Sequence, residues 1–328
     1  MVPPNMQDSF QRNIDYLRVS VTDRCNERCL YCMPEGYAGW AEREDHLNAD
    51  EILEVVETAV QLGFRKFRLT GGEPLIRRDI VEIARRMWDL PGVQTLGISS
   101  NGLRMPELAK PLRQAGVRSV NISIDTLDPQ IYRQITGGRL DLVVAGIDAA
   151  CAAGFEIVKL NAVLMRGIND DQLLPLARFA AERECPMRFI ELMPIGPEGA
   201  INDSHFFSVA EAMAALSRED VLEADSNARI GHGPARYFRM RQLGARVGFI
   251  GAITCADFCA SCNKMRLTAD GKIRPCLGQE NEVDLRPALR SGIGSVEELM
   301  TLALANKPET HLFSNGFKRL RPMTAVGG

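Results

Sequence analysis

Three cysteines lie within eight residues near the start of the chain: Cys25, Cys29 and Cys32, in the stretch VTDRCNERCLYCMPEGY (21–37). A structural zinc site is closed by four protein ligands, whereas three thiolates leave one metal position open. Tetrahedral thiolate sites suit both zinc and iron–sulfur clusters. In a 4Fe–4S cluster held by three cysteines, the fourth iron is free to bind a small chelating molecule. The spacing therefore favours an iron–sulfur cluster, with zinc as the alternative.

Four further cysteines lie near the other end of the chain: Cys255, Cys259, Cys262 and Cys276. The first three repeat the C-x3-C-x2-C spacing, and the last three form C-x2-C-x13-C, so spacing alone leaves two ligand triads open. A zinc ribbon that uses all four is a further alternative. The run MRLTADGKIR (265–274) has a turn signal at residues 269–271, and a hairpin there would return Cys276 to the side of Cys262. This argument favours the last three cysteines.

Six apolar, strand-like runs alternate with amphipathic segments in the first two-thirds of the chain. The runs are YLRVSVT (16–22), KFRLT (66–70), QTLGIS (94–99), SVNISID (119–125), EIVKLNAVL (156–164) and MRFIELM (187–193). Such alternation predicts a parallel sheet with helices outside it. Six units are fewer than the eight of a complete barrel. We therefore expect an α/β fold, a partial (β/α)6 barrel formed by residues 1–194.

Residues 195–328 differ in character, with loop-rich stretches, hairpin-like runs and the second cysteine group. We expect them to form a C-terminal domain that covers the opening of the barrel. The two remaining cysteines, Cys151 and Cys185, stand apart from both groups. Buried free cysteine is common in cores, so these two are expected to be core residues.

Further motifs follow the strands at the edge where active sites of such folds lie. The first cysteine group follows the first strand, and LTGGEP (69–74) follows the second. Gly71 and Gly72 allow close approach of the backbone to a ligand, and Glu73 offers a carboxylate to a cation. SSNG (99–102) and NISID (121–125) end the next two strands. Together these motifs predict a binding site at the carboxyl edge of the sheet.

Basic residues interrupt several otherwise apolar strands. They are Arg18, Lys66, Arg68, Lys159, Arg188, Lys264, Arg266 and Arg274. Lysine and arginine are rarely buried unless they are paired, and several of them in one barrel would repel each other without a polyanion. The set therefore predicts a phosphate-rich ligand. No P-loop or G-x-G-x-x-G motif is present to bind it in the usual way.

The overall composition excludes several classes of function. The chain of 328 residues carries 39 basic and 42 acidic residues, a net charge of −3, so no overall field attracts nucleic acid or an anionic membrane. No apolar run reaches the roughly 18 residues that span a bilayer, and the first residues lack the apolar core of a signal peptide. We expect a cytoplasmic protein with no nucleic-acid or membrane partner. Nine cysteines in such a chain argue against a disulfide framework.

The first cysteine group, with Tyr31 before its last cysteine, resembles the signature of radical S-adenosylmethionine enzymes. Across residues 16–328 the motifs LRVSVTDRCNERCLYCMP, RLTGGEP, SSNG, VKLNAV, RFIELMP, FCASCNKMRLTADGKIRPCL and the terminal Gly327-Gly328 resemble the GTP-cyclising members that act in molybdenum cofactor biosynthesis. The resemblance implies two 4Fe–4S clusters, S-adenosylmethionine and GTP. It also implies that a 5′-deoxyadenosyl radical takes hydrogen from C3′ of GTP, after which C3′ joins C8 of guanine.

The resemblance also implies roles for individual residues. The first cluster would be held by Cys25, Cys29 and Cys32, and the second by Cys259, Cys262 and Cys276. S-adenosylmethionine would be bound by Tyr31, Gly72, Glu73, Ser123 and Met193. GTP would be bound by Arg18, Arg68, Ser99, Lys159, Lys264, Met265 and Arg266. The implied partners are cyclic pyranopterin monophosphate synthase as the next enzyme, an electron donor and a second copy of the chain in a homodimer.

The sequence departs from the family pattern at Lys264, where Arg-x-Arg is usual; lysine keeps the charge and loses the bidentate geometry. Cys255 also lies outside the ligand set that the family implies. Two other functions stay open. The first is a radical enzyme that modifies a peptide, with an auxiliary cluster. The second is a zinc-binding interaction protein.

Overall fold

The structure is a computed structural model that describes residues 6–33, 36–37, 40, 43–195, 203–225, 230–313 and 323–327. Within these residues the strands are β1 (Tyr16–Ser20), β2 (Lys66–Thr70), β3 (Thr95–Ser100), β4 (Ser119–Ser123), β5 (Ile157–Leu164), β6 (Met187–Glu191), β7 (Leu222–Ala224), β8 (Arg236–Met240), β9 (Arg246–Ile250), β10 (Lys264–Leu267), β11 (Lys272–Arg274) and β12 (Val283–Asp284). All six strands expected in the first two-thirds are present, with ends shifted by up to two residues.

The strands form one sheet in the order β12-β11-β10-β1-β2-β3-β4-β5-β6-β9-β8-β7. Strands β1 to β6 are parallel, as expected of a partial (β/α)6 barrel. The C-terminal part adds β10 parallel to β1 and β9 parallel to β6. The outer strands β7, β8, β11 and β12 are antiparallel to their neighbours. No hydrogen bonds join β12 to β7 in the described chain, so the sheet stays open.

The C-terminal part therefore extends both edges of the barrel sheet, which leaves neither edge of the six-stranded unit with unpaired backbone groups. The hairpin expected over 265–274 is present as β10 and β11, with its turn closed by the bond from the Gly271 N–H to the Thr268 carbonyl. A domain boundary at residue 195 remains a prediction, because the sheet runs continuously across it.

The helices are α1 (Ala49–Leu62), α2 (Ile80–Asp89), α3 (Met105–Gln114), α4 (Pro129–Thr136), α5 (Leu140–Ala152), α6 (Leu173–Ala181), α7 (Val209–Glu219), α8 (Asp257–Ala260), α9 (Arg286–Ser291), α10 (Val296–Ala305) and α11 (Met323–Val326). Short 3-10 turns lie at Arg43–Asp45, Pro74–Ile76 and Asp203–His205. Asn48 caps α1 through a reciprocal capping box with Glu51, and Gly63 ends it. None of the described helices has the length and apolarity needed to cross a membrane.

Alternation along the strands divides their side chains between two environments. Leu17, Val19, Phe67 and Leu69 point to the helix layer, where they join the hydrophobic core. Residues at the intervening positions face the concave side, and this is where the basic residues of β1 and β2 lie. The sheet thus presents polar groups inward, whereas its outer face is mainly apolar.

Candidate active site

The first cysteine group lies on the loop that leaves the carboxyl end of β1. The N–H groups of Cys32 and Met33 both donate to the Cys29 carbonyl, at 3.0 and 3.1 Å, which folds Cys29–Cys32 into a tight turn. The N–H of Glu27 lies 3.4 Å from the Cys25 sulfur. Burial raises the pKa of the Cys25 thiol to about 12 and that of Cys29 well above its usual range, and the three thiols affect one another electrostatically. The three thiols therefore form one half-buried group.

Helix α4 holds this loop in place. Arg28 and Leu30 donate their N–H groups to carbonyls at the end of the helix, at 2.8 and 2.9 Å. The Tyr132 hydroxyl donates to Glu27 at 2.9 Å, and Glu27 is 4% exposed. The helix itself was missed by the sequence analysis, although Asp128 before Pro129 and Gly137 after Thr136 are its cap signals.

The glycines of LTGGEP pack against the same loop. A side chain on Gly72 would lie 2.3 Å from the Arg24 carbonyl oxygen, and one on Gly71 would lie 2.3 Å from that of Thr22. Backbone bonds of 2.8 Å join Gly72 to Thr22 and Glu73 to Arg24. The close approach expected of these glycines is thus made to the cysteine loop in this structure.

Three buried carboxyl groups surround the cysteine loop. Glu73 accepts hydrogen bonds from the Leu75 N–H, the Ser100 hydroxyl and the Asn101 N–H, which links LTGGEP to SSNG. Burial is the main cause that raises the pKa of Glu73 and Glu27 to about 7 and that of Asp125 to about 6. Such groups are ionised at low cost only beside a cation.

The residues expected at the S-adenosylmethionine site meet at this edge. Tyr31 donates its hydroxyl to Asp125 at 2.8 Å. Ser123 is the last residue of β4, and Met193 follows β6 by two residues. Both are half-buried. Asp125, the last residue of NISID, was not singled out by itself, yet it also accepts the Val163 N–H and so fixes the end of β5.

The basic residues form a row across the concave face of the sheet. In register, Arg266 of β10 pairs with Arg18 of β1, Arg18 with Arg68 of β2, and Arg68 with Gly97 of β3. Neighbouring strands lie about 4.8 Å apart, and like charges placed directly opposite are destabilising. Burial, and then Arg266, lowers the pKa of Arg18 to about 9. The row is an electrostatic cost that an anion would relieve.

Lys159 of β5 extends this cationic surface. It is 2% exposed, and its amine makes no hydrogen bond or ion pair with any described residue. Burial is the main cause that lowers its pKa to about 6, followed by Arg68 and Arg188. Ser99 of β3 pairs in register with Asn121 of β4, which pairs with Lys159 of β5. The Ser99 hydroxyl accepts a hydrogen bond of 3.4 Å from the Asn121 side-chain amide.

The segment 264–266 divides between the two faces of the sheet. Lys264 donates to the Asn263 side chain at 2.9 Å and lies over the Tyr16 ring, and Arg266 donates to the Gly327 carbonyl. Met265 is fully buried in the hydrophobic core on the other face, so only its backbone can reach a ligand inside the barrel. The contact of Arg266 brings Gly327 into the barrel, while Gly328 lies outside the described residues.

Two members of the expected cationic set are neutralised by carboxylates. Lys66 pairs with Asp15 at 2.6 Å. Arg274 is fully buried and pairs with Glu282 at 2.7 Å and with Glu280 at 3.0 Å. These ion pairs remove the reason to expect either residue at a phosphate-rich ligand, and the sequence did not reveal where their carboxylate partners lie. Arg274 instead donates to the Cys276 carbonyl at 3.1 Å and so braces that loop.

The second cysteine group is gathered by the β10–β11 hairpin. Cys259 and Cys262 precede β10, and Cys276 follows β11. After burial, Cys262 helps to raise the pKa of Cys259, and Cys262 and Cys259 help to raise that of Cys276. Cys255 contacts Gly251 and packs against the hydrophobic core. Cys151 and Cys185 also contact the core, with their sulfurs 3.5 Å apart, a proximity that the sequence did not indicate.

The two triads lie at opposite edges of the barrel. Cys25 follows β1 and therefore lies at the carboxyl edge, whereas Cys262 precedes β10, which is parallel to β1, and therefore lies at the amino edge. A five-residue strand spans about 16 Å. The row of arginines lies between the two triads, so a molecule held by that row faces one triad on each side.

Comparison with known proteins identifies this arrangement. A model of the radical SAM superfamily matches residues 19–180, and one named Molybdenum Cofactor Synthesis C matches residues 185–313. The GTP 3′,8-cyclase of Pelotomaculum thermopropionicum is 43% identical over 326 residues, which cover 98% of this chain and 100% of the relative. That of Pseudomonas putida strain KT2440 is 45% identical over 330 residues, 98% of this chain and 97% of the relative. The chain belongs to the GTP 3′,8-cyclase family.

Solved structures agree with the fold. Streptococcus suis SuiB bound to S-adenosylmethionine has a TM-score of 0.63 at 15% identity, over 91% of this chain and 66% of SuiB. SuiB bound to the precursor peptide SuiA has a TM-score of 0.61 at 15% identity, over 97% of this chain and 76% of SuiB. At 15% sequence identity, the structural similarity to SuiB supports only the fold, which is the partial (β/α)6 barrel expected from the sequence.

GTP 3′,8-cyclases use S-adenosylmethionine and two 4Fe–4S clusters, and the residues present fit these groups. Within the described chain no three His, Cys, Asp or Glu side chains are grouped as ligands of one metal ion. A 4Fe–4S cluster differs, because each thiolate binds a separate iron, so its fit depends on three neighbouring cysteines that form no disulfide bond. Cys25, Cys29 and Cys32 meet that condition at one edge, and Cys259, Cys262 and Cys276 at the other.

Proposed function

We propose that this chain catalyses the conversion of GTP to 3′,8-cyclo-7,8-dihydro-GTP, the first step of molybdopterin synthesis. S-adenosylmethionine supplies the 5′-deoxyadenosyl radical that takes hydrogen from C3′ of the ribose. The observation that carries the proposal is the row Arg266, Arg18 and Arg68, which lies between two cysteine triads at opposite edges of one barrel. A triphosphate held there is presented to both sites at once.

The carboxyl edge suits a cationic cofactor. S-adenosylmethionine carries a sulfonium and an ammonium group, and the buried carboxyl groups of Glu73, Glu27 and Asp125 would be stabilised as anions beside them. We assign Cys25, Cys29 and Cys32 as ligands of the radical-generating cluster. The cofactor would contact Tyr31, Gly72, Glu73, Ser123 and Met193. The bonds of Glu73 to Ser100 and Asn101 keep its carboxylate in one orientation.

The interior of the barrel suits the triphosphate. Arg18, Arg68 and Arg266 supply guanidinium groups that bind phosphate oxygens bidentately, and Lys159 supplies a buried amine without a competing carboxylate. We assign these four residues, with Ser99, Lys264 and the backbone of Met265, to GTP. Their role is to position the ribose, which is where much of the rate enhancement of such a reaction originates. Cys259, Cys262 and Cys276 would hold the second cluster beside the base.

The two alternative functions are not favoured. This chain shares its fold with SuiB, which has been solved with a precursor peptide bound. However, the relatives that are 43–45% identical over nearly the full length are named GTP 3′,8-cyclases. A barrel interior lined by several buried cations is also a poor site for a neutral peptide backbone. A zinc-binding interaction protein gives no reason for buried amines and guanidiniums facing each other inside a barrel.

The proposal includes further partners. Closing the ring needs one electron and one proton after the C3′–C8 bond forms, so an electron donor is required. The product is the substrate that cyclic pyranopterin monophosphate synthase would take next. A cytoplasmic location and a homodimer belong to the same proposal.

Anaerobic incubation with GTP, S-adenosylmethionine and dithionite tests the function directly. We expect 5′-deoxyadenosine and a cyclised nucleotide of the same mass as GTP in equal amounts. Deuterium at C3′ of GTP should appear in 5′-deoxyadenosine. Transfer of deuterium from another ribose position, or 5′-deoxyadenosine formed without consumption of GTP, would contradict the proposal.

A further inference from the structure

A buried lysine that no motif singled out lies at the second cysteine triad. Lys307 follows α10 by two residues and is 3% exposed. Its ammonium donates to the Cys262 sulfur at 3.5 Å, to the Lys264 carbonyl at 2.9 Å and to the Pro275 carbonyl at 2.6 Å. An ammonium has three donors, and all three are used here.

The two carbonyl bonds join the segments that carry the ligands. Lys264 begins β10, two residues after Cys262, and Pro275 directly precedes Cys276. The β10–β11 hairpin brings these two segments side by side. Lys307, on a third segment, links them because its ammonium binds a carbonyl of each. Two further residues of the same chain hold Cys259 in place. The backbone N–H of His311 donates to Cys259, and the Arg12 guanidinium donates to the Cys259 carbonyl at 2.9 Å.

The charge of Lys307 has no carboxylate to neutralise it. No ion pair of Lys307 is found in the described parts of the chain, although most buried lysines are paired. All three cysteines of the triad instead experience its field. The ammonium is therefore placed as the counter-charge of thiolates.

We propose that Lys307 is a positioning residue of the second iron–sulfur site, which braces its ligand segments and makes its cluster easier to reduce. This inference rests on the proposed ligands Cys259, Cys262 and Cys276. A hydrogen bond to a ligand sulfur and a nearby positive charge both stabilise the more negative, reduced cluster. The site would thereby accept an electron more readily from the external electron donor that ring closure requires.

The test uses the full chain with Cys25, Cys29 and Cys32 replaced by alanine, so that the remaining signal belongs to the second cluster. Lys307→Met removes the charge and the donor at similar volume, and Lys307→Gln keeps a donor without the charge. Lys110→Met, on the exposed face of α3, is the matched control. Iron content and the midpoint potential from an EPR-monitored redox titration are measured for each.

We expect Lys307→Met to make reduction about tenfold less favourable, about 59 mV for one electron, and Lys110→Met to leave the potential unchanged. A full iron content with the parental potential in Lys307→Met would overturn the proposal. If that variant loses its cluster, Lys307→Gln decides: a retained cluster at a lower potential supports the proposal, whereas loss of the cluster or the parental potential refutes it.

Failure of this inference can be told apart from failure of the proposed function. If Cys276→Ser keeps the second cluster, the ligand assignment is wrong whatever Lys307 does. If the unmodified chain yields no cyclised nucleotide, the function is wrong. An unchanged potential in Lys307→Met, with both other results as expected, rejects the role of Lys307 alone.

Discussion

Arg68 lies directly over Gly97, and the absence of a side chain at Gly97 is what lets it do so. The guanidinium leaves β2, crosses β3 and reaches the Ser119 hydroxyl of β4 at 3.0 Å, while it donates to the Ile98 carbonyl at 2.8 Å. A side chain on Gly97 would lie 2.6 Å from Nη2 of Arg68 and 2.6 Å from the Ser119 oxygen. A glycine at position 97 thus leaves the room that the Arg68 side chain needs to extend along the concave face.

Gly97→Ala should therefore displace Arg68 and weaken GTP binding. We expect a loss of about tenfold, about 1.4 kcal/mol, measured by calorimetry on anaerobic protein with intact clusters. The matched control is the same substitution in an Arg68→Ala background, where it should cost little further. An equal loss in both backgrounds would show that Gly97 acts independently of Arg68.

Lys159 should take up a proton when GTP binds. Its pKa of about 6 means that the amine is mostly neutral at pH 7.5 in the free protein, and a triphosphate would raise that pKa and charge the amine. Calorimetry in two buffers of different ionisation enthalpy measures the protons taken up. We expect uptake approaching one proton in the parent and a smaller value in Lys159→Met. Identical uptake in both would exclude Lys159 as the source.

The same depressed pKa makes the stability of the ligand-free protein depend on pH. The unfolded lysine binds its proton up to its ordinary pKa near 10.4, whereas the folded one releases it above about 6. The unfolded state thus holds more protons in this window, so the free energy of unfolding rises as pH increases from 6. Lys159→Met should flatten the rise in thermal midpoint between pH 6 and 8. An unaltered slope would contradict this.

Arg266 and Lys264 should contribute unequally to GTP binding. Arg266 lies in the guanidinium row and can bind two phosphate oxygens, whereas Lys264 is a point charge that already donates to Asn263 and covers the Tyr16 ring. We expect Arg266→Ala to raise the dissociation constant for GTP more than Lys264→Ala does. An equal or larger effect at Lys264 would show that lysine fully replaces the usual arginine there.

The sequence indicated much of the fold because the signals are local. The alternation of apolar runs with amphipathic segments located six strands, and the loop motifs marked the carboxyl edge. Contacts between distant segments could not be read in this way. The pairing of Arg274 with Glu280 and Glu282 depends on how a loop returns. The same is true of Lys307, whose partners are fixed by tertiary packing.

Helix α4 is the one described barrel helix whose local signals were present but unused. Asp128 accepts the N–H groups of Gln130 and Ile131, and Gly137 ends the helix in the left-handed region. It is only eight residues long, which is less than the periodicity test requires. Because α4 was not predicted, the contact of Tyr132 with Glu27 in the first cysteine loop was not predicted either.

The two clusters should be separable by mutation, because their ligands lie at opposite edges of the sheet. Cys25→Ala, Cys29→Ala or Cys32→Ala should abolish reductive cleavage of S-adenosylmethionine and leave the second cluster in place. The readouts are 5′-deoxyadenosine formation and iron content, which should fall by about half since one of two 4Fe–4S clusters is lost. Continued 5′-deoxyadenosine formation in any of these variants would reject the assignment of the radical-generating site.

The choice between the two possible second triads rests on Cys255 and Cys276. Cys276 lies at the end of the hairpin, where it shares the field of Lys307 with Cys259 and Cys262, whereas Cys255 lies against Gly251 and the core. Cys276→Ser should therefore lose the second cluster and cyclisation, and Cys255→Ser should keep both, as shown by iron counts and Mössbauer spectra. If instead Cys255→Ser halves the iron and Cys276→Ser does not, the ligands are Cys255, Cys259 and Cys262, and the hairpin argument fails.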